Sequence, residues 1–160
     1  MFSKKGQAWG TDLIIASVVF IGGLLVFYFY SLNISDDGSD TLQKLQYSGE
    51  LVAEDLFSEG YPKNWEIEDV QRIGIVTDSR INQTKLESFY NLSTYEYEKT
   101  KSLFNLNYEY YISFQNNVSI YGQSVEGIGL KPQNSNNLIK ITRVMVYNDK
   151  PTSVEVEIWN

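Results

Sequence analysis

The chain has 160 residues, with 13 lysines and arginines against 20 aspartates and glutamates, so its formal net charge at pH 7 is −7. It contains no histidine and no cysteine, which removes the commonest general base, the commonest metal ligand and any disulfide framework. The acidic balance opposes binding to a phosphate backbone. We therefore expect no nucleic-acid partner, no cofactor, no metal site and no enzymatic activity.

The N-terminal segment combines a short basic leader with a long apolar run. Lys4 and Lys5 precede the pair Gly6-Gln7, and apolar residues then dominate from Leu13 to Leu32. About twenty helical residues reach about 30 Å, the thickness of a bilayer hydrocarbon core. We therefore predict a membrane-spanning helix over residues 7–32. Because the lysines precede this span and acidic residues follow it, the N-terminus is expected in the cytoplasm and the remaining domain outside the cell.

The order of leader and apolar run is unlike that of an ordinary secretory signal, in which the cleavage site follows the apolar region. Here Lys4-Lys5-Gly6-Gln7 comes first and abuts the membrane-length segment. This arrangement resembles the class III signal peptide of archaeal type IV pilin-like proteins, and the resemblance covers the segment up to Leu32. It implies that a membrane-embedded prepilin peptidase cuts between Gly6 and Gln7, so that residues 1–6 are a leader peptide. A plain signal anchor, whose lysines only set topology, is the alternative.

Small residues and one acid within the predicted span are candidate assembly determinants: Asp12, Ala16, Gly22 and Gly23. Small side chains let membrane helices approach closely, whereas a carboxylate near lipid needs compensation. The resemblance implies a glutamate at the fifth position after cleavage, but Thr11 occupies that position and Asp12 follows it. Asp12 either pairs with the new amine of Gln7 in a neighbouring subunit, or is an interfacial acid favoured by the helix dipole.

The polar segment from Asn33 to Asp40 is expected to link the span to a second helix. Helical spacing of apolar residues predicts that helix over Thr41–Ser58, and its buried face is formed by Leu42, Leu45, Val52 and Leu56. If the link is also helical, one rod of about 78 Å runs from Gln7 to Ser58 at about 1.5 Å per residue. Two helices hinged at Gly38 are the alternative.

Short elements are expected beyond Pro62. We predict a strand over Val70–Val76 and a helix over Asn82–Tyr90. The capping-box pattern Ser93-Thr94-Tyr95-Glu96 predicts a further helix that ends near Phe104.

Runs of β-branched and aromatic residues then predict strands over Tyr108–Phe114, Val118–Tyr121, Leu138–Tyr147 and Ser153–Trp159. Turn residues at Asn148-Asp149-Lys150-Pro151 predict an antiparallel hairpin between the last two strands, and Gln115-Asn116-Asn117 is a second predicted turn. Residues 127–137 are expected to form a mobile loop. In the final strand, Val154, Val156 and Ile158 should share one face.

These elements predict an α+β fold with a long N-terminal hydrophobic helix. A small extracellular domain over residues 33–160 follows, with an antiparallel β-meander and short helices in the pilin-like layout that the resemblance implies.

Four Asn-x-Ser/Thr sequons are candidate N-glycosylation acceptors: Asn33, Asn82, Asn91 and Asn117. Asn91 and Asn117 fall at the ends of predicted elements, which makes them the preferred acceptors.

The resemblance implies a structural subunit, major or minor, of an archaeal type IV pilus-like surface filament that polymerises through its N-terminal helix. The expected partners are the membrane, a prepilin peptidase and further copies of the chain. The alternative is a monomeric, membrane-anchored extracellular protein with a binding or adhesion role.

Overall fold

The computed structural model describes residues 5–33 and 37–160. The elements in these ranges are α1 (Lys5–Asn33), α2 (Asp37–Leu56), β1 (Val76–Thr77), β2 (Arg80–Ile81), α3 (Gln83–Tyr95), α4 (Tyr97–Leu103), β3 (Glu109–Ile120), β4 (Gln123–Gly129), β5 (Leu138–Tyr147) and β6 (Lys150–Trp159). The chain divides into two units, Met1–Gly38 and Ser39–Asn160. The predicted α+β class and the long N-terminal apolar helix are confirmed.

Helix α1 is apolar over most of its length. Its stretch Gly10–Leu32 has a mean hydropathy of 2.4, and none of it is buried. That length and composition suffice to cross a membrane and are equally compatible with a signal sequence.

Helix α2 is amphipathic, and its apolar face packs into the core of the second unit. Leu45, Val52 and Leu56 are fully buried, as predicted, whereas Leu42 is 40% exposed and lies outside the core. The helix includes Gly38 and ends at Leu56, two residues before the predicted end. Whether α1 and α2 form one continuous rod depends on residues 34–36, which lie outside the described residues.

Gly49 lets α2 lie close to the sheet. A Cβ atom at this position would lie 2.8 Å from Cδ1 of Ile141 and 3.3 Å from Cγ1 of Ile158. A larger side chain would therefore push the helix away from the strands beneath it.

The sheet has the strand order β1-β2-β5-β6-β3-β4. Strands β3 to β6 pair antiparallel, and β2 joins β5 in parallel where Arg80 faces Val146. The predicted meander is wrong, because β6 lies between β5 and β3 and so joins two hairpins through strands that are distant in sequence. The β5–β6 hairpin itself is confirmed, with its turn at Asn148-Asp149.

The core-facing side of β6 is also confirmed. Val154, Val156 and Ile158 are fully buried, and Val156 lies between Ile112 of β3 and Ile141 of β5. Strand β6 is therefore the centre of the sheet.

The predicted turn at Gln115–Asn117 is wrong because β3 continues through it. The strand accommodates these residues through a shift of register between Ser113 and Val118. The chain turns instead at Tyr121 and Gly122, whose φ angles of 50° and 79° suit a tight two-residue hairpin. Strand β4 follows and extends to Gly129, so the predicted loop begins later than residue 127.

Three further predictions are corrected by the structure. Only Val76 of the predicted strand Val70–Val76 is in a strand, because Ile75 N–H donates to the Leu56 carbonyl at 2.8 Å, at the end of α2. Helix α3 continues through Ser93 to Tyr95 instead of ending at Tyr90. The predicted capping box is absent, since α4 begins after Glu96 without a side-chain cap.

Candidate functional site

The predicted processing site lies at the start of α1. Lys5, Gly6 and Gln7 are helical, whereas Lys4 lies outside the described residues. Cleavage between Gly6 and Gln7 stays a prediction.

The candidate assembly residues are all on the exposed surface of α1. At about 100° per residue, Asp12, Ala16 and Gly23 fall within an arc of about 40°, and Gly22 lies about 100° from Gly23. A Cβ atom added at Gly22 or Gly23 would meet nothing within 4 Å. One face of the helix therefore combines an acid, Asp12, with two small residues further along, Ala16 and Gly23.

The sequons differ in how accessible their asparagines are. Asn82 caps α3: its Oδ1 accepts from the Lys85 N–H at 3.2 Å, and its Nδ2 donates to Thr77 Oγ1 at 3.3 Å. Asn91 lies inside α3, where its Nδ2 donates to the Tyr121 hydroxyl at 2.7 Å, and Ser93 of its sequon is buried.

Asn117 is exposed on β3, where its Nδ2 donates to Ser124 Oγ at 3.1 Å. The expectation that Asn91 and Asn117 lie at element ends is wrong, since one is inside a helix and the other inside a strand. The Asn33 side chain lies outside the described part of the structure.

A buried hydroxyl cluster joins α3, α4 and β3. The Tyr110 hydroxyl is hydrogen-bonded to Ser93 Oγ at 3.0 Å and to Thr100 Oγ1 at 2.5 Å, and burial raises the pKa of Tyr110 to about 12. The Tyr97 hydroxyl donates to the Tyr110 carbonyl at 3.2 Å and accepts from its N–H at 3.1 Å. Each hydroxyl is occupied by structural hydrogen bonds, so the cluster fixes the packing of these elements.

Lys85 is a buried cation whose amino group is also held by structural hydrogen bonds. Its amino group donates to the carbonyls of Glu59 at 2.7 Å and Val76 at 3.0 Å. Burial lowers its pKa. These two hydrogen bonds connect α3 to the segment that precedes β1 and to β1 itself.

A cleft of about 780 Å³ separates α2 from the last part of β5. Its exposed apolar residues include Tyr47 of α2 and Val144 of β5, which are both 67% exposed. Arg143 Nη2 faces Glu50 Oε2 across the cleft at 4.0 Å. A second hollow of about 530 Å³, also lined by Val144, continues toward β1.

Within residues 5–33 and 37–160, no group of three or more acidic side chains lies close enough together to hold a metal ion.

The chain was compared with protein-family models, with curated proteins and with solved structures, and it matches none of them.

Proposed function

We propose that this protein is a subunit of an archaeal type IV pilus-like surface filament. It is inserted in the membrane through α1, cut after Gly6 by a prepilin peptidase, and polymerised through the same helix. The observation that carries the proposal is the motif Lys4-Lys5-Gly6-Gln7, placed directly before an apolar helix with none of its span buried.

The exposed surface of α1 needs an apolar partner. Exposure of such a helix to water would be costly, because apolar area costs about 25 cal/mol per Å² in water. Lipid satisfies this need before assembly, and like helices satisfy it in a filament. The face that carries Ala16 and Gly23 favours close helix packing, which supports assembly over a solitary anchor.

In the proposed filament, the second unit coats the outside of the fibre. The buried hydrophobic residues of the described structure begin at Leu45, so this unit has a core of its own. An acidic chain with this layout suits the solvated outer layer of a fibre.

Processing is the direct test. The chain is co-expressed with an active archaeal prepilin peptidase, and membrane protein is analysed by N-terminal sequencing and intact mass. We expect the wild-type chain to begin at Gln7 and the Gly6→Val variant to remain uncut, because a β-branched side chain fills a pocket shaped for glycine. Gly22→Val is the matched control, since it adds the same bulk far from the bond and should be cut normally.

An intact Met1 in the wild-type chain, beside an active peptidase, would contradict the proposal. Normal cleavage without filaments in electron micrographs would instead favour a monomeric, membrane-anchored binding protein.

A further inference from the structure

The sequons of the second unit differ in the backbone conformation that carries them. The motif needs two groups at once, the asparagine amide and the hydroxyl of the residue two positions later. In a strand, positions i and i+2 point to the same face, whereas in an α-helix they lie about 200° apart around the axis. A strand therefore presents both groups on one side, and a helix does not.

Asn117 has the favourable arrangement. Asn117 and Ser119 lie in strand β3 and are both exposed, while Val118 between them is fully buried. The two polar side chains therefore share the solvent face of the strand. The Asn117 amide donates to Ser124 Oγ at 3.1 Å, and this hydrogen bond is itself on the exposed surface. An enzyme can thus reach the amide and the hydroxyl from the same side.

The backbone around Asn117 is open as well. Pairing of β3 with β6 ends at Phe114, and pairing of β3 with β4 is interrupted between Ser113 and Val118. Residues 115–117 lie in this interval and are all exposed. This extended segment therefore leaves room for an enzyme around the asparagine.

Asn91 is in the opposite situation, inside α3. Ser93, which supplies the hydroxyl of its motif, is buried, and Ser93 Oγ is hydrogen-bonded to the Tyr110 hydroxyl at 3.0 Å. The Asn91 amide itself donates to the Tyr121 hydroxyl at 2.7 Å. The core therefore withholds the hydroxyl that the motif requires.

Asn82 is half-buried and held at the start of α3. Its Oδ1 accepts from the Lys85 N–H at 3.2 Å, and its Nδ2 donates to Thr77 Oγ1 at 3.3 Å. Both ends of the amide are therefore engaged in the helix cap. Transfer of a sugar to Nδ2 would have to open this arrangement.

We propose that Asn117 is the N-glycosylation acceptor of the folded second unit, and that the fold withholds Asn82 and Asn91. In the reaction, Nδ2 of Asn117 forms a bond to the anomeric carbon of a lipid-linked oligosaccharide. The bond from that carbon to the phosphate of the lipid carrier breaks, the lipid phosphate leaves, and the displaced amide proton passes to a base of the transferase. The proposal rests on one part of the proposed function, the placement of the second unit outside the cell, and does not depend on cleavage at Gly6.

Site-resolved mass spectrometry of the full chain is the test. The chain is expressed in an archaeal host whose own surface proteins carry N-linked glycans, and the peptides that span each sequon are quantified with and without glycan. We expect glycan at Asn117 and unmodified peptides at Asn82 and Asn91. Asn117→Gln and Ser119→Ala should abolish the signal at this site. Ser119→Thr keeps the motif, Asn116→Gln changes an exposed neighbour outside it, and both should retain the glycan.

Free peptides separate the effect of the fold from that of the sequence. Peptides of residues 79–88, 87–97 and 113–123 each contain one sequon without its folded surroundings. With the transferase and lipid-linked donor of the same host, all three should accept glycan. The purified full chain, made in a host without N-glycosylation, should accept it at Asn117 alone. Refusal of the Asn91 peptide would show that sequence selects the site, and would overturn the proposal.

An unmodified Asn117 in the archaeal host, or glycan at Asn82 or Asn91 of the folded chain, would also overturn the proposal. Gly6→Val separates it from the proposed function, because the uncut chain should still carry glycan at Asn117. Cleavage after Gly6 without glycan would contradict the glycan site alone. Glycan on a wild-type chain that stays uncut beside an active peptidase would contradict the filament subunit alone.

Discussion

Asp12 opens the helical face of α1 that also carries Ala16 and Gly23. A carboxylate at this position has two explanations with different consequences for assembly. As an interfacial acid it needs no neighbouring subunit, but it follows Lys5 by seven residues and so lies beyond the first turn of α1, where the helix dipole acts. As a partner for the amine that cleavage creates at Gln7, it matters only in the assembled state.

We expect Asp12→Ala to leave insertion and cleavage intact and to reduce filament formation. The physical reason is that Asp12 lies outside the cleavage motif, while its removal leaves the amine of Gln7 in a neighbouring subunit without an opposite charge in the filament, which costs free energy. Filaments counted by electron microscopy, relative to the amount of processed subunit, measure the effect. Asp12→Glu, which keeps the charge, is the control and should assemble. Normal filaments from Asp12→Ala would leave helix packing at Ala16, Gly22 and Gly23 as the main determinant.

The buried Tyr110 hydroxyl gives a pH-dependent prediction for the second unit. Its pKa is raised from 10.0 to about 12 by burial, so the folded state holds this proton more tightly than the unfolded state. The contribution is fully present below pH 10 and is lost as the pH rises from 10 to about 12. Tyr110→Phe should lower the free energy of unfolding at pH 7 by about 1–3 kcal/mol, because Ser93 and Thr100 lose a buried partner.

Denaturant unfolding of both proteins at several pH values tests this. The difference in stability between wild type and Tyr110→Phe should shrink as the pH rises above 10, since only the wild type must release this buried proton. Tyr95→Phe is the control, because Tyr95 is 82% exposed. A difference that stays constant across this pH range would show that Tyr110 does not titrate in the folded protein.

At the scale of elements, the correct predictions concern features that depend on local sequence patterns. The β5–β6 hairpin followed from turn residues and alternation, and the buried face of α2 followed from helical spacing. The failures come from contacts between distant residues. Ser93 resembles an N-cap in sequence, but its hydroxyl bonds Tyr110, seventeen positions away, and so α3 continues past it.

The strands show the same limit. Gln115–Asn117 has turn composition, but pairing of β3 with β6 on one side and β4 on the other extends the strand through a register shift. The position of β6 between β5 and β3 is a property of the whole sheet, and no local pattern encodes it. Of the four candidate assembly residues of α1, helical periodicity places Asp12, Ala16 and Gly23 together and Gly22 about 100° from Gly23, and their role in assembly stays a prediction.

Gly49 gives a prediction for the contact between α2 and the sheet. Gly49→Leu should lower the free energy of unfolding by about 1–3 kcal/mol, because its side chain overpacks the space held by Ile141 and Ile158. Gly49→Ala is the matched control. Its methyl group meets the flexible end of Ile141, and the gain in helix propensity of about 1 kcal/mol offsets the crowding. Chemical denaturation measures both changes, and equal stability of the leucine variant and wild type would contradict this packing.

At the scale of the whole molecule, the second unit should fold without α1. A fragment of residues 37–160 contains all the buried hydrophobic residues of the described structure, which begin at Leu45. We expect it to be soluble, to melt cooperatively, and to be monomeric at micromolar concentration.

A fragment of residues 60–160 is the comparison, because it lacks Leu45, Val52 and Leu56 and leaves the sheet uncovered. It should be unfolded or aggregated. Circular dichroism and sedimentation distinguish these outcomes. A disordered 37–160 fragment would mean that the second unit depends on the N-terminal helix.

The central place of β6 has a consequence for the timing of folding. Synthesis delivers a chain from its N-terminus, so β3, β4 and β5 are made before the strand that joins them. Until Ile158 and Trp159 emerge, the two halves of the sheet have no common neighbour, and the apolar faces of both stay in contact with solvent or a chaperone. The second unit is therefore obliged to fold late, as one event after β6 is complete, whereas α1 is formed from the first residues to be made.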